Sequence, residues 1–554
     1  MYQIQQISAL EKVRLTDRPN FREITESIVL PGERFSYQIA CFGDEKLSFR
    51  IRMESPLAEY VKLYNVCHSP MDAPVWSKNA DDDYITKEPG LMPDLLTPLA
   101  NNNYMLQARE TGANALWVRI DLPEDLAAGT YKVDILVDQI SLYTMESQGP
   151  SEPETTVKTM TLKVLSAVLP KQTLKHTEWF YADCIAQAHG VEIYSEAHWA
   201  LIDKYMACAV ELGINMLLMP VITPPVDTMY GVQRPCVQLV EIEKTAGGYR
   251  FDFDKVRRWI ALCKKNGIVN YEIAHLFSQW GMHYTPNVMV TENGTKSYRF
   301  GWHVPSTSED YADLLRQLIP ALRQVLREEG VEQNTYFHVS DEPNPKHFDT
   351  YQRVSGIIKP LVEGCHTIDA LSHYEYYEAG LVEIPVANNL MIEPFLEHKL
   401  ENQWVYYCCS EDYDVSNRSI AMPSYRTRVM GLQMYKFGIK GFLHWGFNYY
   451  NGHCSSYPID PFRTTSGDCY YPSGDPFLVY PGPLMSVRAM VFYDGLQDMR
   501  VAQLLESLIG REAVVKLIDE EAGMDLRFSK YPRSADFLLN VRKKMMEKIE
   551  EAVK

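Results

Sequence analysis

Two adjacent carboxylates followed by a proline, Asp341–Glu342–Pro343, are the residues of this sequence best placed to do chemistry. Neighbouring side chains on a regular strand point to opposite faces, so adjacent acids do not ordinarily serve one site. Pro343 cannot continue a strand ladder, and it holds Glu342 in an extended or turn conformation. The apolar strand TYFHVSDEP (335–343) therefore ends where the pair occurs, and both carboxylates can turn toward one mouth. Two carboxyls so close cannot both ionise freely; the one whose pKa rises supplies a general acid near neutral pH. The tripeptide is common in turns, and its place at the end of an apolar strand after His338 is what singles it out.

A pair of this kind needs a scaffold that brings further polar groups to the same edge. From about residue 179 the sequence alternates strand-like and helical segments, with strands starting near 179, 214, 269, 335, 366, 386, 403 and 439. Helices are predicted over 195–213, 253–267, 306–330, 346–362, 423–438 and 484–508. Ser195 and Gly213 fit as caps, Ser306 with Glu309 reads as a capping box, and Pro320 predicts a kink. Eight strands with intervening helices predict a (β/α)8 TIM-type barrel, with a doubly wound open sheet as the alternative. Barrel enzymes carry their functional groups at the C-terminal strand ends. Read in turn, those ends offer Asp183, then His275 and Trp280, then Asp341 and Glu342, Asp369 and His373, Glu393, and finally Trp445, Asn448 and Tyr449. Acids for proton transfer, amides for hydroxyls and rings for sugar faces make up a carbohydrate site. Each could equally be a satisfied barrel residue.

Residues 1–170 read as an all-β domain, through FSYQIACFG (35–43), ALWVRIDL (115–122), the alternating GTYKVDILV (129–137) and TLKVLSAVLP (161–170). Loops are predicted at 69–83 and 145–156, with KQTLKH (171–176) as a linker. The barrel domain would fill 177–554 and close in a helix over 533–553. At 554 residues, two domains are expected. The net charge of −18 repels nucleic acid and anionic membrane alike, and no apolar run approaches the roughly 18 residues a bilayer span needs. The start MYQIQQISALEKVRL has no apolar leader core, which predicts a cytoplasmic protein, or a secreted one had a leader been removed. Eleven cysteines without a C-x-x-C pair, two of them adjacent at Cys408–Cys409, read as free thiols in a reducing compartment. Scattered histidines and the lack of a Gly-rich phosphate loop predict neither metal nor cofactor. A homo-oligomer is compatible with the sequence and not demanded by it.

The segment YFHVSDEPNPKHFDTY (336–351) resembles the catalytic strand of glycoside hydrolase family 123, the retaining β-N-acetylgalactosaminidases, and of their uncharacterised relatives. Residues 190–222 resemble that family's first helix and second strand, 441–451 its last strand, and 127–137 part of its N-terminal β-sandwich. HLFSQWG (275–281), MIEPFLE (391–397) and PSGDPFLVYPG (472–482) are closest to the uncharacterised branch. The resemblance implies a β-sandwich followed by a (β/α)8 barrel and substrate-assisted retention on a carbohydrate. The sugar's 2-acetamido oxygen would attack its own anomeric carbon, Asp341 would orient it, and Glu342 would act as acid and then base. Trp445 would floor the site, with His275, Trp280, Asp183, Asp369, His373, Glu393, Asn448 and Tyr449 as binding groups. Two alternatives stay open: a glycosidase pairing Glu342 with Asp369, Glu393 or Glu411, and a non-catalytic carbohydrate-binding protein.

Overall fold

A computed structural model of the protein describes residues 2–43, 47–99, 104–108, 112–140 and 154–554. The loop expected at 145–156 lies mostly outside them, and Thr155 and Thr156 already belong to the strand Thr155–Val164. Two five-stranded sheets form the N-terminal sandwich. One runs in the order Tyr2–Ser8, Arg34–Gly43, Gly112–Asp121, Val61–Met71, Gly90–Pro98. The other runs Glu26–Val29, Thr155–Val164, Gly129–Ile140, Leu47–Glu54, Tyr104–Ala108. In Gly129–Ile140 the period-two pattern does what its alternation demands: Val133, Ile135 and Val137 are fully buried, opposite Ile39, Leu116 and Val118 of the other sheet's core face.

The second part is a closed eight-stranded barrel: Lys175–Glu178, Met216–Met219, Asn270–Ile273, Thr335–Phe337, His366–Leu371, Ile384–Asn388, Trp404–Tyr406 and Gly441–His444. Every pairing is parallel, and the eighth strand returns to the first, which excludes the open sheet. The first strand begins at the end of the stretch read as a linker and runs two residues past it. WFYADC (179–184), expected as that strand, instead leads into the helix Ala182–His189, closed by Gly190 in the left-handed region. The reason is burial: His176, Thr177 and Glu178 are polar yet wholly buried, His176 against Phe442 and Phe492, Thr177 on Glu272 and Glu178 on Arg418, and a search for apolar runs passes over them. The sixth strand stops at Asn388, so Glu393 opens a short helix, Glu393–Glu397, instead of ending a strand. Helix Glu309–Glu328 starts after Ser308 without a side-chain cap and runs through Pro320 as one element.

Sequence reading missed two insertions. The hairpins Glu241–Thr245/Gly248–Asp252 and Val288–Glu292/Thr295–Phe300 join into a four-stranded sheet. Helix Val487–Ile509 comes after the eighth strand and packs on the helices Ser424–Arg428 and Met430–Phe437. The last helix, Ala535–Val553, lies on it and reaches the sandwich as well: Arg542 bonds Asp498 at 3.3 Å and Glu33 at 2.5 Å. The close helix approach depends on Gly431, where a Cβ would stand 1.8 Å from the Gly495 carbonyl oxygen. Gly431→Ala should therefore cost about 1–3 kcal/mol or more by overpacking. An unchanged thermal unfolding midpoint would contradict this packing.

Candidate active site

The fourth barrel strand ends at Phe337, and one carboxylate holds His338, Val339 and Ser340 immediately beyond it. Asp369, on the fifth strand, accepts hydrogen bonds from His338 Nδ1 at 3.1 Å, Val339 N at 3.0 Å and Ser340 N at 3.3 Å, and from the Tyr351 hydroxyl. Beyond this clamp Glu342 takes a left-handed φ of +43°, while its N–H donates to the Ala370 carbonyl at 3.1 Å. A non-glycine residue in that region is strained, and such strain gathers at functional sites. Here it cancels the strand's alternation, so the adjacent Asp341 and Glu342 line one cleft. Gln279 Nε2 donates to Asp341 Oδ2 at 2.7 Å, and Gln279 Oε1 accepts from Asp227 N–H at 2.7 Å. The Tyr406 hydroxyl donates to Glu342 Oε1 at 2.8 Å.

Burial pushes Asp341 well above the usual carboxylate range, with Glu342 and Asp227 adding repulsion. Burial also raises Asp227 to about 7, against the opposing hydrogen bond from Tyr181. Below the pair, burial alone would lower His338, but Glu272 and Asp369 outweigh it and raise it to about 9. His338 Nε2 lies 2.5 Å from Glu272 Oε1, so an imidazolium sits between two carboxylates beneath the site.

The cleft, a cavity of about 130 Å³, is walled by Trp179, Tyr406, Trp445 and Tyr471 around the acids, with Trp76, Trp280 and Tyr470 beside them. Trp445 is wedged between Tyr471 at 4.9 Å and Tyr449 at 5.1 Å, and its Nε1 donates to Asp475 Oδ2 at 2.9 Å. Asp475 is raised to about 8 by burial, against Arg418 and the Trp445 bond.

Four of the predicted site residues meet in the cleft: Asp341, Glu342, Trp445 and Trp280. The others lie elsewhere. Asp183 is buried in a bidentate pair with Arg234, at 2.6 and 2.9 Å. Asp369 is the clamp beneath the strand end. His275 is wholly buried and stacks on His338 at 4.0 Å. His275, His338 and Asp369 do bring ligand atoms within 4.8 Å of one another. His338, however, commits both nitrogens to carboxylates, and the two rings lie 23° from parallel, so their in-plane lone pairs do not converge. His373 is half-buried after the fifth strand, outside the cleft lining. Glu393 pairs with Arg527 away from the cleft. Asn448 bonds the backbone of Tyr181 at 2.9 and 3.0 Å, and Tyr449 buttresses Trp445. Sequence reading gave no role to Asp227, Tyr406, Asp475 or Trp76. Asp227 and Asp475 sit deep in long loops, and Trp76 comes from the sandwich, where barrel reasoning does not look.

Residues 179–505 match the family model Glycoside hydrolase 123, catalytic domain. This fold and this match define a glycoside hydrolase. The chain belongs to glycoside hydrolase family 123. Among solved structures it is similar to a family 123 glycoside hydrolase from Clostridium perfringens, described for glycolipid glycan hydrolysis, at TM-score 0.74 and 14% identity over 100% of this chain and 98% of that one. A Bifidobacterium dentium β-glucuronidase is a fainter likeness, at TM-score 0.32 and 9% identity over 89% of this chain and 66% of that one. Comparison with curated proteins finds no match.

The Asp475 shift makes a signed prediction. A carboxyl whose folded pKa lies above its unfolded value contributes stability that is complete below the unfolded pKa, near 4, and is lost as pH rises through about 8. Asp475→Asn removes that dependence. The unfolding midpoint of the variant, measured against wild type, should therefore rise between pH 5 and pH 8.5; a difference that is flat or falls with pH would contradict the assignment.

Proposed function

We propose that this glycoside hydrolase removes a terminal β-linked N-acetylgalactosamine, or a related 2-acetamido sugar, by substrate-assisted retention. The observation that carries the reading is the delivery of two adjacent carboxylates to one cleft from a single strand end. Ordinary retaining enzymes place a nucleophile about 5–5.5 Å from the acid, facing it across the bond. The partners considered for Glu342 are each committed to other groups. Asp369 is the buried clamp, Glu393 is paired with Arg527, and Glu411 is buried against Asn388, Cys408 N and Ser410. Asp227 does line the cleft, but burial holds it toward its neutral form, a poor nucleophile and a suitable partner for sugar hydroxyls. The similar Clostridium perfringens enzyme, whose glycans are those of glycolipids, supports a glycan substrate.

In this mechanism the acetamido oxygen forms a bond to the anomeric carbon as the bond to the leaving oxygen breaks. Asp341 accepts the acetamido N–H and balances the oxazolinium charge. Glu342 gives the leaving oxygen its proton, then takes one from the water that opens the ring. Burial favours the neutral form of Asp341, and the arriving acetamido N–H offsets that by stabilising the Asp341 carboxylate. Trp445 lies under the sugar ring. The eleven cysteines, all free, favour a reducing cytoplasm. Among the described residues no helix is long and apolar enough to cross a membrane.

Substitution separates the roles. Glu342→Gln should cost about 10²–10⁴-fold on substrates with poor leaving groups and much less on activated aryl glycosides. Asp341→Asn should slow both kinds by similar factors, because charge develops on the oxazolinium whatever departs. A 2-acetamido thiazoline should inhibit tightly. Full activity of both variants on every substrate would make the pair structural.

A further inference from the structure

The seventh barrel strand ends at Tyr406, whose hydroxyl holds Glu342, and two adjacent cysteines, Cys408 and Cys409, stand just beyond it. Both are half-buried free thiols that line the cleft. Glycoside hydrolysis uses neither, yet their place is firmly set. Cys408 N donates to Glu411 Oε2 at 2.6 Å, and the Cys408 carbonyl accepts from Asn417 Nδ2 at 2.8 Å. Asn417 Nδ2 also donates to the Glu411 carbonyl at 2.9 Å, so the turn that carries the pair is tied on both sides. The two thiols hydrogen-bond to each other, and both feel the carboxylates of Glu342 and Glu411. A third free thiol, Cys454, lines the same cleft from the loop after the eighth strand, at a left-handed φ of +41°.

Buried cysteines ordinarily serve as small apolar fillers, but these two open on a cleft among carboxylates. Among the described residues the lining contains three carboxylates, Asp227, Asp341 and Glu342, and no lysine or arginine, so it attracts cations. Adjacent sulfurs then select among them: thiolates take soft, filled-shell ions such as zinc and cadmium, while magnesium and calcium prefer oxygen. Oxidation is a poorer use of the pair. The mutual hydrogen bond, and then burial, raise Cys408 well above the usual thiol range. Against its hydrogen bond with Cys408, burial and the nearby carboxylates raise Cys409 to about 11. Protonated thiols attack peroxides slowly, because the thiolate is the nucleophile. A metal ion displaces the protons itself: two S–H bonds break, two sulfur–metal bonds form, and two protons leave to solvent. A divalent ion and two thiolates are together neutral, so the wall gains no net charge. We propose that Cys408 and Cys409 form a chelating site for a soft divalent metal ion, and that its occupation switches the hydrolase off. The switching rests on the glycosidase reading above, whereas the site itself does not. A cation beside Glu342 favours the carboxylate there and so removes the proton that the acid must give.

The probe is Cd²⁺, added to the whole chain kept reduced by a phosphine. Thiolate-to-cadmium absorption in the ultraviolet should saturate at one ion per chain, and binding should tighten as pH rises because protons are released. Bound Cd²⁺ should protect Cys408 and Cys409 from iodoacetamide, read by mass spectrometry, and leave the exposed Cys469 reactive. Hydrolysis of an aryl 2-acetamido-β-galactoside should fall along the same binding curve, with Mg²⁺ inert. Cys408→Ser and Cys409→Ser should each weaken binding and inhibition by about 100-fold or more, each judged against its own metal-free rate. Protection is read on the wild type, so the test survives a variant that does not fold. Unprotected Cys408 and Cys409 at saturating Cd²⁺, or absorption lost in Cys454→Ser or Cys469→Ser but kept in the pair's variants, would overturn the site. Inhibition that survives both serine variants would place the ion on the acids alone and overturn it as well. Binding at the pair with full activity would overturn the switch. Should the metal-free enzyme cleave no aryl glycoside, the glycosidase reading fails first, and absorption and protection still decide the site.

Discussion

The carboxylate of Asp369 is the fixed point of this structure. By accepting the amides of Val339 and Ser340 together with the His338 ring, it ends the fourth barrel strand and sets the turn at Asp341–Glu342. Asp341 and Glu342 can share a cleft only because the chain leaves its ladder there and Glu342 enters the left-handed region. Three buried amide and imidazole donors without an acceptor would each carry a desolvation cost of about 1–3 kcal/mol, so the clamp stabilises the strained turn as well as shaping it. Chemistry at the cleft and stability at the strand end thus rest on one side chain.

The same logic runs through the barrel interior, which is polar where it meets the site. Glu272 joins His338 to Trp179, whose indole N–H donates to it at 2.9 Å, and Trp179 is itself a wall of the cleft. On the other side Glu178 pairs with Arg418 at 2.5 and 2.7 Å, Arg418 reaches His444 Nδ1 at 2.7 Å, and His444 lies 3.4 Å from Asp475, the residue that orients Trp445. Buried charges persist only when matched, and here each matched set ends on a residue that faces the cleft. The floor is rigid for that reason.

Much of this was legible from residue patterns. Seven of the eight barrel strands, most of the helices and the sandwich came from periodicity, and Pro343 pointed to the Asp341–Glu342 turn because proline's backbone limits do not depend on context. The first barrel strand was not legible: its buried residues are His176, Thr177 and Glu178, and polarity ordinarily signals surface. Asp183 and Glu393 were chosen as strand-end acids, but each is neutralised by an arginine remote in sequence, Arg234 and Arg527. Asp227 and Trp76 escaped for the converse reason. Their loops carry no periodic signal, and only tertiary contacts bring them to the site.

The central claim is that the substrate's own acetamido oxygen is the nucleophile, with Asp341 and Glu342 managing its charge and proton. The most direct measurement is kcat across aryl glycosides whose 2-acetamido group carries zero, one, two and three fluorines. Fluorine withdraws electrons from the attacking oxygen without altering the protein's carboxylates. The account predicts a steep, progressive fall in kcat along the series. A rate that stays flat would contradict it, and would place the nucleophile on the protein.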